Sequence, residues 1–501
     1  MKRLTVLLFL GILAISFFLR LYRFDNPLAD WHSWRQADTS SVSRNFAENG
    51  FDILRPTYHD LSNVPSGMEN PNGYRFVEFP IYNLFQAGLF KILPFIALEQ
   101  WGRMVTIISS LFTLTFLFLL VRRYTEDKVA LFAAFLYAII PYNIFYGRTI
   151  LPDPLMVTAI LGGIYFFDLW IQQRTKNKEQ RASLEARTIL YFSLSLLFTA
   201  SALLIKPFAL FFVLPMVAIA YNSFGLKIIK NWKLWAFAIL SILPLIVWRV
   251  WMTQFPEGIP ASDWLLNGGN IRFKGAFFYW IFENRIGGLI LTFWGSALLI
   301  MGILLNSNSE KIFGYLKGQM LLFWAFLASS LIYLVVIARG NVQHDYYQIL
   351  IVPTLVIFSA LGAKFLLDPV GGLIKRYVSY PVLAILVIFT FAFGWYGVRD
   401  YFNINNNSIV IAGEAVDRLT PKDALVIANY NGDTSFLYQT KRSGWASYQY
   451  DLSEMIKLGA DFLVIANPVP SDFDFATKYK IVEQKPEYII FNLRNQENSP
   501  Y

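Results

Sequence analysis

Long apolar stretches separated by short polar ones set the pattern of this chain. Val6–Leu19, Met104–Val121 and Val382–Phe393 contain no Asp, Glu, Lys or Arg. Crossing a bilayer core takes about 20 predominantly apolar residues in a helix. With no water in the hydrocarbon, each segment must close its own backbone hydrogen bonds, so these runs predict helices. Hydropathy windows predict about eleven membrane-spanning helices. Ile81–Leu93 is excluded from that count, because Asn83, Gln86 and Lys91 interrupt it; it is read as a juxtamembrane helix that does not cross. The first run follows Met1-Lys2-Arg3 and ends in bulky residues, Phe17 to Tyr22, without a small-x-small cleavage pattern. It predicts an uncleaved first span.

The polar segments sort by charge. Lys2 and Arg3, Arg122 to Lys128, the stretch from Arg174 to Arg187, Lys227, Lys230 and Lys233, Lys311 and Lys317, and Lys375 with Arg376 fall in alternate loops. The positive-inside rule assigns these loops and the N-terminus to the cytoplasm. The other side then receives a first loop of about residues 22–102, the turn Gly147–Pro154, the neighbourhood of Lys206, Thr253–Arg285 and Arg339–Tyr347. An odd number of spans places the C-terminus there too.

From about Tyr401 the period changes. Ala424–Ala428, Asp461–Ala466 and Tyr488–Phe491 read as short buried strands, and Gly413–Leu419 and Leu452–Leu458 as helices. The expected organisation is a transmembrane module over residues 1–400 and a small soluble α/β domain over 401–501. Asp472-Phe473-Asp474 has the form of a metal-binding Asp-x-Asp, but two acids one residue apart are common by chance and it is read as a polar loop.

Composition narrows the class. Of 501 residues, 55% are hydrophobic and 15% charged, against about 25% charged in soluble proteins. This makes the chain a polytopic membrane protein. A net charge of +9 is accounted for by cytoplasmic Lys and Arg beside anionic lipid, so no nucleic-acid partner is expected. There is no cysteine, which removes disulfides and thiolate metal sites.

Ionisable groups held beside hydrocarbon are costly unless paired or functional. Four such spots fall on the predicted outer side: Asp38 in Trp34-Arg35-Gln36-Ala37-Asp38, Glu78 in Val77-Glu78-Phe79-Pro80, Arg148 and Asp153 in Arg148-Thr149-Ile150-Leu151-Pro152-Asp153-Pro154, and His344-Asp345-Tyr346-Tyr347. Plainer readings exist for each. Asp38 suits a helix start, Glu78 a surface pair with Arg75, and Asp153 the first turn of a span. His344 suits an ordinary interfacial histidine, and Trp31 and Trp34 suit interfacial anchors.

An Asp after the first span, a Glu-x-Pro before a juxtamembrane helix and an Arg-x-x-x-x-Asp-Pro where a span exits together resemble the GT-C glycosyltransferases. More narrowly they resemble the protein O-mannosyltransferase-like family that includes the aminoarabinose transferases of lipid A. The layout is similar over roughly the first 370 residues and most similar from Trp31 to Pro154, with Lys206-Pro207 and His344-x-Tyr-Tyr as weaker signatures. Many members carry two adjacent acids in the first loop, whereas here Thr39 follows Asp38. The resemblance implies a bacterial inner-membrane enzyme that moves a sugar from a polyprenyl-phosphate donor to a lipid, glycan or protein acceptor, with inversion.

By resemblance Asp38 is the general base, aided by Glu78. Arg35, Arg148, Lys206, Arg272 and Arg339 are the expected partners of the donor phosphate. Asp153, His344, Tyr346, Tyr347 and Trp34 are expected to shape the site. No metal is expected to be obligatory, although Glu78, Asp153 and His344 form a conceivable divalent-ion set. The alternatives are a secondary transporter or lipid flippase, which would place ionisable groups near mid-membrane and show inverted repeats, and a non-catalytic envelope assembly protein.

Overall fold

The computed structural model describes residues 3–174, 185–307, 320–369 and 375–496. Among these, eight helices are long and apolar enough to cross a membrane, and nine if the pair Gly275–Ile290 and Thr292–Leu305, bent by 111°, counts as one span. Two further apolar passes are shorter. One is Met320–Val336. The other is α5 (Asp127–Ile139) continuing into α6 (Pro141–Tyr146). These two separate nine from the eleven expected: the first is counted only from Met320, where the described residues resume, and the second is interrupted at Pro141, a break to which hydropathy is blind. The break at Pro141 is chemical: proline has no N–H and clashes with the preceding turn. Arg20, buried at the end of α1 (Arg3–Arg20), donates to the carbonyls of Tyr137 and Ala138 before the break and of Asn143 after it, at 3.2–3.4 Å.

Contacts between helix ends define two poles of the bundle. At one, Thr5 bonds Asp127 at 2.8 Å, Arg123 and Tyr124 hold Asp168, Lys128 pairs with Asp368 and Lys364 with Glu126. Arg376 approaches the same Asp368 at 3.9 Å. The start of α1, the Arg122–Lys128 loop and the segment at Arg376, predicted to share a side, therefore do share one. Lys176, Lys178 and Arg181, and Lys311 and Lys317, lie outside the described residues.

At the other pole stand the first loop, the start of α4 (Leu98–Tyr124), the turn before α7 (Asp153–Arg174), Lys206 and the segment 337–347. The helix α3 (Ile81–Ile92) stays at this pole. Tyr82 donates to the Gly102 carbonyl at 2.6 Å, and Trp101 donates to the carbonyl of Leu93 at 2.8 Å. Both ends of α3 thus meet the opening turns of α4, and the helix lies across the bundle end.

The C-terminal region folds as expected in outline. Its five-stranded sheet has the order β2-β1-β3-β5-β4, with β1 Val426–Ala428, β2 Gly444–Trp445, β3 Phe462–Ala466, β4 Tyr479–Lys485 and β5 Tyr488–Gln496. β1 pairs in parallel with β2 and β3, and β5 antiparallel with β3 and β4. β4, whose charged and polar residues surround only Ile481-Val482, and the two-residue β2 carry no long apolar run and escaped the sequence pattern. The outer edge of β2 is not left open. Gly444 N donates to His59 O at 3.0 Å and Leu61 N to Gly444 O at 2.7 Å, so the first loop extends the sheet by another chain segment. Apolar side chains cross the same boundary: Ala29 packs into one core of the sheet region and Leu61 against the other.

Candidate active site

The site is built on α2 (Ser33–Asn49), a helix whose buried residues are mostly polar: Ser33, Arg35, Gln36, Asp38, Thr39, Ser40, Ser41, Ser43 and Arg44 among them. Such a helix is stable only if its polar groups find partners. On one side Ser43 donates to Gln86 at 2.8 Å, and Asn83 of α3 donates to the Thr39 carbonyl at 2.6 Å. On another, Gln36 donates to Asp30 at 2.6 Å. The i, i+3, i+4 spacing turns Arg35, Asp38 and Thr39 to a third side. The helix begins at His32, in left-handed conformation with φ 54°. Asp38 therefore sits in its second turn and caps nothing, which removes the capping reading.

Asp38, 4% exposed, accepts from Arg75 through Oδ2 and from the Thr434 hydroxyl through Oδ1 at 2.7 Å. Glu78 pairs not with Arg75 but with Arg35, whose Nη2 reaches both carboxylate oxygens at 2.7 and 2.8 Å. Burial opposes the charge on Arg35, but Glu78 and Asp38 outweigh it, and the guanidinium is held above its ordinary range. Arg75 is raised for the same reason, by Asp38 against burial. Lys206 places its ammonium 2.7 Å from both oxygens of Asp153 and over the rings of Tyr346 and Tyr347.

A cavity of about 620 Å³ opens on this constellation. Asp38, Arg35, Arg75, Lys206, Arg249 and His344 supply its charged and titratable wall with Asp60 and Asp263, and Trp34, Trp264, Phe208, Tyr346 and Tyr347 supply aromatic faces. His344 packs against Trp34, Trp264, Tyr346 and Tyr347 with ring centres 5.3–5.8 Å apart. Burial, aided by neighbouring His32, pulls its imidazole down to about 4, so it is neutral near pH 7. Glu78 stands behind Arg35 and lines a small adjoining recess with Asp38, Arg75 and Asn83. Asp153 stands behind Lys206.

Three expected phosphate partners lie elsewhere. Arg148 pairs with Asp30 at 3.0 Å, its guanidinium resting over Phe145 and Phe402. Arg272 donates to the carbonyls of Val335, Val336 and Leu266 at 2.6–3.2 Å and so caps the end of Met320–Val336. Arg339 is half-buried beside Gly268 and off the cavity wall. Sequence spacing placed these cations at the right pole but was blind to which way each side chain is pulled. Glu78, Asp153 and His344 do not converge, and among the described residues no group of three His, Asp or Glu is arranged to hold a metal ion.

Sequence reasoning missed Arg249, Arg75 as the partner of Asp38, and Thr434. Among the described cations lining the cavity, Arg249 is the one without a carboxylate within ion-pair distance. A signal existed: Trp248-Arg249-Val250-Trp251 puts a single cation at the end of an otherwise uncharged run. A second polar centre was also passed over. Asp345 accepts from His32 at 2.5 Å, Tyr146 and Tyr401 at 2.7 Å and Trp31 at 3.2 Å. It ties the start of α2 to three other segments.

The model of the family described as dolichyl-phosphate-mannose-protein mannosyltransferase matches residues 78–251. No curated protein sequence matches the chain. Among solved structures, ArnT from Cupriavidus metallidurans bound to undecaprenyl phosphate superposes with TM-score 0.64 at 12% identity, over 97% of both chains. The Archaeoglobus fulgidus oligosaccharyltransferase AglB, in complex with an inhibitory peptide and a dolichol-phosphate, superposes with TM-score 0.55 at 13% identity, over 94% of this chain and 72% of that one. The chain shares the fold of these two proteins.

Proposed function

We propose that this chain is a membrane glycosyltransferase that moves a sugar from a polyprenyl-phosphate donor to an acceptor hydroxyl at the outer face of a bacterial inner membrane. The observation that carries this reading is the cavity in which a buried carboxylate, Asp38, shares one wall system with Lys206 and the unpaired Arg249. Transfer requires a base for the acceptor and a cationic seat for the phosphate that departs.

In this reaction the acceptor oxygen attacks the anomeric carbon and its proton passes to Asp38. The bond from that carbon to the phosphate oxygen breaks, and polyprenyl phosphate leaves with the electron pair. Direct displacement inverts the anomeric centre. Each Asp38 oxygen accepts one hydrogen bond within the protein, and a carboxylate oxygen has two lone pairs, so capacity remains for the acceptor proton. Such base catalysis supplies about 10²–10⁴ in rate. Lys206 acts on the leaving phosphate as a point charge and Arg249 as a planar fork. The isoprenoid runs along the apolar cavity wall at Phe208, Leu265, Leu266 and Ile337. The sugar meets Trp34 and Trp264.

The N-terminus and the basic pole face the cytoplasm, and the cavity pole and the C-terminal α/β domain face outward. The basic residues gathered at the pole away from the cavity support this orientation. The charged cavity at one pole, rather than at mid-bundle, speaks against a transporter. Purified protein incubated with a panel of polyprenyl-phosphate sugars should release free polyprenyl phosphate and glycosylate an added acceptor, both read by mass spectrometry. Absence of either product with every donor would refute the reading.

A further inference from the structure

Residues 401–496 contain no recognisable catalytic pattern, yet one of them touches the functional carboxylate. Resting on the glycosyltransferase reading, we propose that the C-terminal α/β region supplies a positioning residue to the site: Thr434, whose hydroxyl orients Asp38 for proton acceptance.

The hydroxyl of Thr434 lies 2.7 Å from Asp38 Oδ1 and 3.2 Å from the Trp34 carbonyl. It has one proton, and the nearer, charged oxygen is the stronger acceptor. Arg75 takes the other oxygen. Two donors on different oxygens fix the plane of the carboxylate, while α2 fixes its backbone. Thr434 and Gly432 themselves line the cavity.

The loop that presents Thr434 is held firmly from both sides. Asn431 and Gly432 adopt left-handed conformations, with φ 55° and 82°. The turn this makes brings both Tyr430 N and Gly432 N to the carbonyl of Ala446, at 2.9 and 3.1 Å. The helix Ser435–Thr440 that follows is latched to the first loop. Arg44 donates to the Tyr438 carbonyl at 3.0 Å and stacks on its ring at 3.7 Å, and Gln439 donates to the Leu28 carbonyl at 3.1 Å. Thr434 makes no side-chain capping bond to that helix. Its hydroxyl is therefore free of a local structural duty.

A hydrogen bond to a carboxylate favours its ionised form. Arg35 and Arg75 interact with Asp38 from the cationic side, and Tyr58, Asp60 and Asp433 from the anionic side. None of them is removed by changing Thr434.

The test compares the full-length protein with its T434V, T434A and T434S variants in transfer from a polyprenyl-phosphate sugar. The rate is followed from acid to neutral pH, alongside the donor KM and the thermal midpoint. T434V and T434A should lower kcat increasingly toward acid, by up to about tenfold on the acid limb, and move that limb up by about one pH unit, with donor KM within about twofold. T434S should restore the original profile. An unchanged acid limb in T434V or T434A, or a loss uniform across pH that serine does not restore, overturns the proposal. If T434V lowers the thermal midpoint, the smaller T434A decides. Active wild-type protein with unmoved limbs fails this inference alone, whereas wild-type protein without turnover on any such donor fails the functional reading and this inference with it.

Discussion

Two acid–arginine clusters lie eight residues apart in the first loop, one closed and one open. Asp30, 1% exposed, accepts from Arg148 at 3.0 Å and Gln36 at 2.6 Å, with Arg103 at 3.9 Å. Arg103 also donates to the carbonyls of Phe24 and Asn26 at 2.6 Å. No residue of this cluster reaches the cavity. Asp38 is almost as buried, but it and both neighbouring arginines stand on the cavity wall. Each group sets an aspartate among two arginines, but at the open site Glu78 neutralises Arg35, and only the open site reaches the cavity. A carboxylate and a guanidinium beside a membrane are equally well explained as a structural rivet and as chemistry until the empty volume around them is known.

The sharpest way to break this comparison is to neutralise each acid in turn. D38N should lower transfer by about 10²–10⁴-fold and lower the thermal midpoint much less than D30N, because the arginine it leaves unpaired, Arg75, stands on the open cavity wall. D30N should do the reverse. It leaves two buried cations uncompensated, which costs about 3–5 kcal/mol, while the molecules that remain folded keep their turnover. Thermal unfolding in detergent and single-turnover transfer, measured on both variants, check the pair. Exchanged outcomes would assign the chemistry to the closed cluster.

A smaller effect sharpens the comparison among the cations. R249A should raise donor KM about tenfold, as expected for loss of one charge-assisted contact to phosphate. R272A should leave donor KM unchanged, since its donors are committed to carbonyls. Equal KM effects from both would remove Arg249 from the donor seat.

The smallest effect concerns pH. His59 is buried, its Nδ1 shares a hydrogen bond with the Ser41 hydroxyl, and burial with Arg44 nearby lowers it to about 3. Its unfolded value is about 6.5. Below that pH the unfolded chain takes up a proton that the folded chain refuses, so stability falls as pH drops from about 6.5 toward 3, by at most about 1.4 kcal/mol per unit. H59Q should flatten that slope in thermal unfolding at pH 5 to 7. An unchanged slope would show that the strand-like segment around His59 is not sealed.

Much of this was legible in the sequence because its cause is local. The spans follow from charge-free runs, α3 from the polar residues Asn83, Gln86 and Lys91, and β1, β3 and β5 from short apolar runs. Asp38, Lys206, His344, Tyr346 and Tyr347 reach one cavity because each sits where a predicted outer segment meets the bundle. Partner choice was not legible. The i, i+3 spacing puts Arg35 and Asp38 on one side of α2, but it does not encode that Arg75 goes to Asp38 and Glu78 to Arg35. Arg148 and Arg272 were misjudged because their partners, Asp30 and the carbonyls of Val335 and Val336, are distant in sequence. Thr434 was invisible for the same reason, being 396 positions from the acid it serves.

The first-loop segment beside β2 has a consequence for how the molecule is made. Its strand-like stretch at His59–Leu61 is synthesised early, and the sheet that it completes comes nearly four hundred residues later. So large a separation makes the pairing a late step of folding. The ribosome must deliver almost the entire polypeptide before the wall bearing Gly432 and Thr434 can dock. Nascent chains and C-terminal truncations should therefore insert into the bilayer with the cavity unroofed, so that competence arrives with the last strands rather than with the last span.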